Sequence, residues 1–112
     1  PRGIVLADRD RQHCIALVRV TGDEAELLDI GVLEARQGRG LGTALLAAAE
    51  DAAATLGARQ MLLEVALDND TARSLYDRAG YAEAGRRPAY YRRPGGGRMD
   101  ALLLAKPLRP AP

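Results

Sequence analysis

Gln37-Gly38-Arg39-Gly40-Leu41-Gly42-Thr43 is the stretch that decides the fold of this chain. It lies between the apolar run Leu27-Leu28-Asp29-Ile30-Gly31-Val32-Leu33 and an alanine-rich segment that begins near Leu41. A glycine-studded turn that leaves a strand and opens a helix exposes backbone N–H groups with no intrahelical partner. Those donors and the positive end of the helix dipole suit a phosphate. Glycines let the backbone approach the ligand and adopt dihedrals that are costly for other residues. The turn is therefore expected to hold a phosphorylated ligand. A Rossmann dinucleotide loop needs Gly-x-Gly-x-x-Gly, but here the third glycine is displaced and Thr43 takes its place. A Walker A turn needs Gly-Lys-Ser/Thr, and the only lysine of the chain is Lys106.

Outward from this turn the pattern reads βββαβαββ, a mixed α/β sandwich. Ile4–Ala7 and Ile15–Val20 read as strands joined by a charged turn, and Thr21-Gly22-Asp23 leads into a third strand over Glu26–Leu33. Leu41, Leu45, Ala48, Ala52 and Leu56 fall on one helical face, with Gly57 as the stop. Met61-Leu62-Leu63-Glu64-Val65 is almost continuously apolar, as expected of a strand covered on both faces. Asp68 or Asp70 caps a short helix through Tyr76 that Gly80 ends. Tyr81–Arg86 and Ala101–Ala105 are further strands, separated by the glycine-rich Arg92–Gly97, which reads as a flexible loop.

The 112 residues make one domain, residues 1–112, with a core built without Phe or Trp. A net charge of +1 gives no case for nucleic acid. From Arg73 onward, however, eight arginines and Lys106 face only Asp77, Glu83 and Asp100, which suits either an acidic ligand or peptide, or a solvated arginine-rich surface. Cys14 is alone, so no internal disulfide forms and a cytoplasmic location fits; its expected role is that of a small buried hydrophobe. With His13 as the single histidine, no metal site is expected. No signal peptide and no apolar run long enough to span a membrane is present. The sequence starts in a strand-like segment without Met, as expected of a fragment, a processed product or a short family member.

With dinucleotide and nucleotide loops set aside, the turn reads Gln/Arg-x-x-Gly-x-Gly. This resembles the pyrophosphate loop of the GNAT acetyltransferases, which bind acetyl-CoA. Downstream, Leu63-Glu64-Val65, Asn69, Leu75-Tyr76-Asp77-Arg78-Ala79-Gly80-Tyr81, Arg86-Arg87-Pro88-Ala89-Tyr90-Tyr91 and Asp100-Ala101 follow in order. In this series the chain resembles the RimI subfamily, which acetylates the N-terminal alanine of a ribosomal protein. The resemblance runs from about Ala25 to Pro107. It implies the acyl-CoA N-acyltransferase fold, a mixed central sheet with flanking helices, here lacking the usual N-terminal strand and two helices that line the acceptor groove. Either another chain supplies that wall, a second copy in a homodimer being one such chain, or the groove is open, or activity is lost.

The same resemblance implies where the cofactor lies. The strand ending near Val32 and the strand carrying Glu64 would splay apart around the pantetheine arm. Ile30, Gly31 and Val32 would hold that arm, with the Val32 N–H directed at the thioester oxygen. Gln37, Gly38, Arg39, Gly40, Leu41, Gly42 and Thr43 would take the pyrophosphate, and Asn69 would touch the cofactor further along.

Acetyl transfer to an amine requires a neutral amine, a stabilised oxyanion and a protonated leaving thiolate. An α-amine, with a pKa of roughly 7.7–8.0, is partly neutral at cellular pH, whereas a lysine near 10.4 is not. Glu64 is the only charged residue between Gln60 and Asp68, and burial among its apolar neighbours is expected to raise its pKa toward that of a base. It also reads, from the residues alone, as a strand-end carboxylate facing solvent or paired with an arginine. The family likeness favours the base. Tyr76, with a phenol of pKa about 10, is the candidate acid for a thiolate of pKa about 8.5. It also reads as a core aromatic. Arg86, Arg87, Tyr90 and Tyr91 would border the peptide groove and bind the acceptor, or form an exposed strand end.

Two positions depart from the family pattern: Ala66 stands where Arg usually follows Leu-Glu-Val, and Asp68 stands where Ser usually precedes Asn. They put the acceptor preference in question. The expected activity is acetyl transfer to a protein or peptide N-terminus. The alternatives are an acetyl-CoA-binding module without catalysis and an acetyltransferase for small amines, which needs an acidic acceptor pocket.

Overall fold

The computed structural model describes residues 2–7, 14–32 and 40–110. Six strands and two helices follow one another as β1 (Arg2–Ala7), β2 (Cys14–Thr21), β3 (Glu24–Val32), α1 (Leu41–Thr55), β4 (Gln60–Ala66), α2 (Asp70–Arg78), β5 (Ala82–Arg92) and β6 (Arg98–Pro107). The strands are ordered β1-β2-β3-β4-β6-β5 in a six-stranded sheet. The βββαβαββ order read from the sequence is the order observed. The chain divides into two compact units, residues 1–61 with 107–112, and residues 62–106. No helix among the described residues is long and apolar enough to cross a membrane.

In the first unit β1, β2 and β3 form an antiparallel meander. The pleat sends Ala16, Val18 and Val20 of β2 to one face, where they are buried, while Ile15, Leu17 and Arg19 stay exposed on the other. Leu17 faces Asp29 and Val18 faces Leu27, so Leu28 is an extra residue that bulges from β3 and remains 44% exposed. Helix α1 packs on β1, β2 and β3. Its buried stripe is Leu45, Leu46, Ala49 and Ala53, and Ala48 is exposed. Of the expected face through Leu41, Leu45, Ala48, Ala52 and Leu56, Leu45 is buried, Ala52 and Leu56 are half-buried, and Ala48 is a correction, being exposed; the side chain of Leu41 lies outside the description. In a helix so rich in alanine the apolar residues surround the axis, so periodicity does not single out one stripe. Alanine at 49 and 53 carries no side chain beyond Cβ, which lets the helix lie close to the strands. Leu46, only 1% exposed, supplies about 1.5–3 kcal/mol of burial.

Both helices end in the same way. At α1 the Ala58 N–H reaches Ala53 O and the Gly57 N–H reaches Ala54 O; at α2 the Tyr81 N–H reaches Tyr76 O and the Gly80 N–H reaches Asp77 O. These are paired Schellman bonds, with Gly57 and Gly80 both at a φ of 96°. The motif commonly adds a hydrophobic contact between the residues it ties, and at α2 that contact is the edge-to-face pair of Tyr76 and Tyr81, with centroids 5.8 Å apart.

In the second unit β4 alternates, with Met61 at its start in the first unit and then Leu63 and Val65 buried, and Leu62, Glu64 and Ala66 half-buried. The near-continuous apolar run is therefore not covered equally on both faces. β5 is an edge strand that pairs antiparallel with β6 and extends to Arg92, beyond the expected Arg86. Residues 92–97 are not a slack loop. The Arg93 N–H donates to Gly97 O at 2.7 Å and the Gly96 N–H to Arg93 O at 3.1 Å, closing a hairpin turn.

Candidate active site

Gly40 sits at the N-cap of α1 with φ 75°, a left-handed conformation in which a side chain would be strained. No side chain caps the helix and its first turn holds no acidic residue. The first helical bond shown at this end is from Ala44 N–H to Gly40 O, so the N–H groups of Leu41, Gly42 and Thr43 precede the ladder. Orphan donors, a positive dipole end and a first turn without an acidic residue fit the phosphates of a CoA-type ligand. Gly42 is half-buried and Thr43 is exposed. Gln37, Gly38 and Arg39 lie outside the described residues. Ile30, Gly31 and Val32 end β3, in register with Ala16, Ile15 and Cys14 of β2.

The second unit gathers the charged and aromatic candidates. Glu64 projects from the middle of β4 with 29% of its side chain exposed, and Arg87 forms an ion pair with it, Nε lying 3.2 Å from Oε1. The expected deep burial is not found. The observed environment is the partly exposed, arginine-paired carboxylate that the sequence left as the other reading. The strand pattern explains it, because Glu64 shares the half-exposed face of β4 with Leu62 and Ala66 rather than the buried face.

Tyr91 belongs to the same cluster. Burial, the Glu64 carboxylate and the neighbouring Tyr90 together push its phenol above the ordinary value of 10.0, against Arg93, which lowers it. Tyr90 and Tyr91 meet edge to face at 5.2 Å. The Arg87 guanidinium lies 5.4 Å from the Tyr90 ring centroid, and that of Arg93 lies 6.0 Å from the Tyr91 centroid. Arg93 also grips Asp68 by two bonds, one of them Nε to Oδ2 at 3.2 Å. The structure thus brings Glu64, Arg87, Tyr90 and Tyr91 together.

Arg86 points elsewhere. It reaches Glu83 at 3.4 Å and Asp100 at 3.6 Å. Asp100 ties down an irregularity in β5, where Arg87 faces Ala101 but Tyr91 faces Met99, so residues 88–90 bulge. In that bulge Ala89 has φ 52°, and its N–H donates to Asp100 Oδ1 at 2.8 Å. A left-handed alanine costs on the order of 1 kcal/mol, and a charge-assisted bond to a carboxylate offsets it. The Asp100 carbonyl also accepts from Leu67 N–H at 2.9 Å, which fixes the end of β4 to the same strand. From sequence Asp100 was read only as part of the family series, with no role of its own, and Arg93 only as part of a flexible loop. Proline followed by a small residue and two aromatics was the only local hint of a bulge.

Asn69, rather than Asp68 or Asp70, caps α2: its Oδ1 accepts from Ala72 N–H at 3.2 Å. Tyr76 is 6% exposed and packs on Tyr81. The core role allowed for it is therefore real. Among the described residues no cluster of three His, Cys, Asp or Glu side chains is arranged to hold a metal.

The profile of the acetyltransferase (GNAT) family matches residues 2–81. The chain is 38% identical over 99 residues to the [ribosomal protein bS18]-alanine N-acetyltransferase of Salmonella typhimurium, covering 88% of this chain and 66% of that one. To the protein of the same name from Haemophilus influenzae it is 36% identical over 90 residues, 80% of this chain and 61% of that one. It thus spans less than two thirds of the length of these two relatives. The crystal structure of the ribosomal-protein-S18-alanine N-acetyltransferase from Escherichia coli superposes with a TM-score of 0.87 and 34% identity, over 99% of this chain and 72% of that one. Six strands and two helices in this order, with a glycine turn at the head of α1, accord with these matches: the chain belongs to the GNAT acetyltransferase family.

Proposed function

We propose that this chain transfers the acetyl group of acetyl-CoA to the N-terminal α-amine of a protein or peptide. The observation that carries this reading is the superposition of 99% of the chain on a ribosomal-protein-S18-alanine N-acetyltransferase at 34% identity. A ribosomal-protein acceptor would also put the reaction in the cytoplasm. The N–H groups of Leu41, Gly42 and Thr43, with Gly40 opening the turn, would hold the pyrophosphate. Gln37, Gly38 and Arg39 complete that loop in sequence, while Ile30, Gly31, Val32 and Asn69 would contact the rest of the cofactor. When bound, acetyl-CoA supplies the acetyl group as an activated thioester.

The chain's own side chains would then manage protons and orientation. Glu64 accepts the proton released by the acceptor amine on a carboxylate oxygen, directly or through water. Tyr76 holds a proton on its phenolic oxygen for the departing thiolate. Tyr90, 49% exposed, and Tyr91 offer ring faces and hydroxyls to a peptide N-terminus. The Val32 N–H is assigned to the developing oxyanion. A small polyamine or aminoglycoside would want an acidic pocket, and Arg86, Arg87, Arg93 and Arg98 on the β5–β6 hairpin disfavour it.

One observation supports a second reading, an acyl-CoA-binding module without transfer: Glu64 is already engaged by Arg87. Mass spectrometry of peptides differing in their first residue, incubated with the chain and acetyl-CoA, separates the two. Mass gain confined to peptides beginning with alanine or another small residue is the expected result. Acetyl-CoA binding with no acetylated peptide would favour the binding module.

A further inference from the structure

Arg87 stands on the edge strand β5, and Glu64 on β4, with β6 between them. Two strand spacings are roughly 10 Å, so the arginine and the glutamate side chains must both reach over β6 to meet. In register, Arg87 faces Ala101 of β6, so a single methyl lies beneath its path. Its Nε meets Glu64 Oε1 at 3.2 Å, and the face of Tyr90 lies 5.4 Å from its guanidinium carbon. Asp100 engages the chain on either side, pairing with the Arg86 side chain and accepting the Ala89 N–H. Arg87 is thus the last paired residue before the bulge, with Asp100 engaging the residues on both sides of it.

This is an elaborate way to hold a surface ion pair that adds little stability. With 54% and 29% of their side chains exposed, the partners form a pair of the kind that contributes about 1 kcal/mol or less. Its geometric effect is larger. A glutamate side chain has three torsions, and on a half-exposed strand face little else fixes them. The ion pair draws Oε1 toward Arg87 and leaves Oε2 to meet an acceptor. We propose that Arg87 is a positioning residue for Glu64: it orients the carboxylate for proton transfer instead of binding the acceptor. This rests on Glu64 being the proton acceptor, and it moves Arg87 out of the acceptor-binding set with Arg86, Tyr90 and Tyr91.

A double-mutant cycle on the full chain tests it, using wild type, Glu64→Gln, Arg87→Met and the double variant. For each, kcat and KM are measured with an alanine-initiated peptide and acetyl-CoA, together with melting temperature. Arg87→Met is expected to lower kcat by about tenfold or more, as misorientation of a reacting group does. Melting temperature and acetyl-CoA KM stay unchanged, and Arg87→Lys, which keeps the charge, recovers part of the loss. In the Glu64→Gln background Arg87→Met adds no further loss, because the group it orients is gone. An equal loss in both backgrounds, or a change confined to acceptor KM, overturns the positioning role and returns Arg87 to the acceptor. Full turnover by Glu64→Gln alone overturns the base assignment as well, and the cycle distinguishes that outcome from the others.

Discussion

The head of α1 and the β5–β6 hairpin, the proposed cofactor and acceptor ends of the molecule, are built from different materials. At α1 the groups offered to a ligand are backbone N–H donors, released by Gly40 in a left-handed turn, with no capping side chain and no acid in the first turn. Around Glu64 the groups are side chains, namely Arg87, Tyr90, Tyr91 and Arg93, held by ion pairs, ring contacts and a bulge, with Tyr90 and Tyr91 the ones proposed to meet an acceptor. A phosphate is the same on every molecule of cofactor, so a fixed backbone suffices. An acceptor peptide differs from one protein to the next, and side chains can be exchanged to follow it without disturbing the fold.

The largest effect is expected where chemistry is concentrated in one atom. Glu64→Gln should lower kcat by about 10²-fold or more, with acetyl-CoA affinity retained, because a positioned base supplies that much. Steady-state kinetics with paired calorimetry of acetyl-CoA binding measures both. Loss of cofactor binding instead would tie Glu64 to the wrong half of the division. Next comes Gly40→Val, which places a β-branched side chain at φ 75° and should cost on the order of 1–2 kcal/mol at the turn. The expected result is acetyl-CoA binding weakened by roughly tenfold or more, with the β5–β6 hairpin undisturbed by hydrogen exchange.

These two regions were unequally legible in the sequence. The glycine turn could be read because consecutive residues carry it, and βββαβαββ followed from local patterns alone. Glu64 stood out as a lone charge in an apolar run. Its partner could not be read, because Arg87 reaches it across β6 and depends on which strand lies between them. The left-handed Ala89 and its bond to Asp100 are non-local in the same way. The stripe on α1 was partly misplaced for a third reason: where alanine occupies so much of the helix surface, hydrophobic period carries little information.

Smaller effects sharpen the side-chain half of the comparison. Asp100→Ala removes the acceptor of the Ala89 N–H and the partner of Arg86, so it should cost about 1–2 kcal/mol in thermal or denaturant unfolding. It should also raise acceptor KM severalfold while leaving acetyl-CoA KM alone. The smallest effect concerns Tyr91. Its folded-state pKa lies above the unfolded 10.0, through burial first and the Glu64 carboxylate second, so the folded chain holds that proton more tightly. The associated stability is present in full below pH 10 and is lost as pH rises through the folded-state value. Tyr91→Phe should therefore flatten the fall in melting temperature above pH 10 and leave it unchanged at neutral pH. An identical alkaline slope in both proteins would separate Tyr91 from Glu64.

The most direct measurement is tandem mass spectrometry of one peptide that begins with alanine and carries an internal lysine, after incubation with the chain and acetyl-CoA. An acceptor site built for a partly neutral α-amine predicts the acetyl group on the N-terminal alanine alone, and its loss with Glu64→Gln. Acetylation of the lysine side chain, or of neither amine while acetyl-CoA is bound, would contradict transfer to an N-terminus.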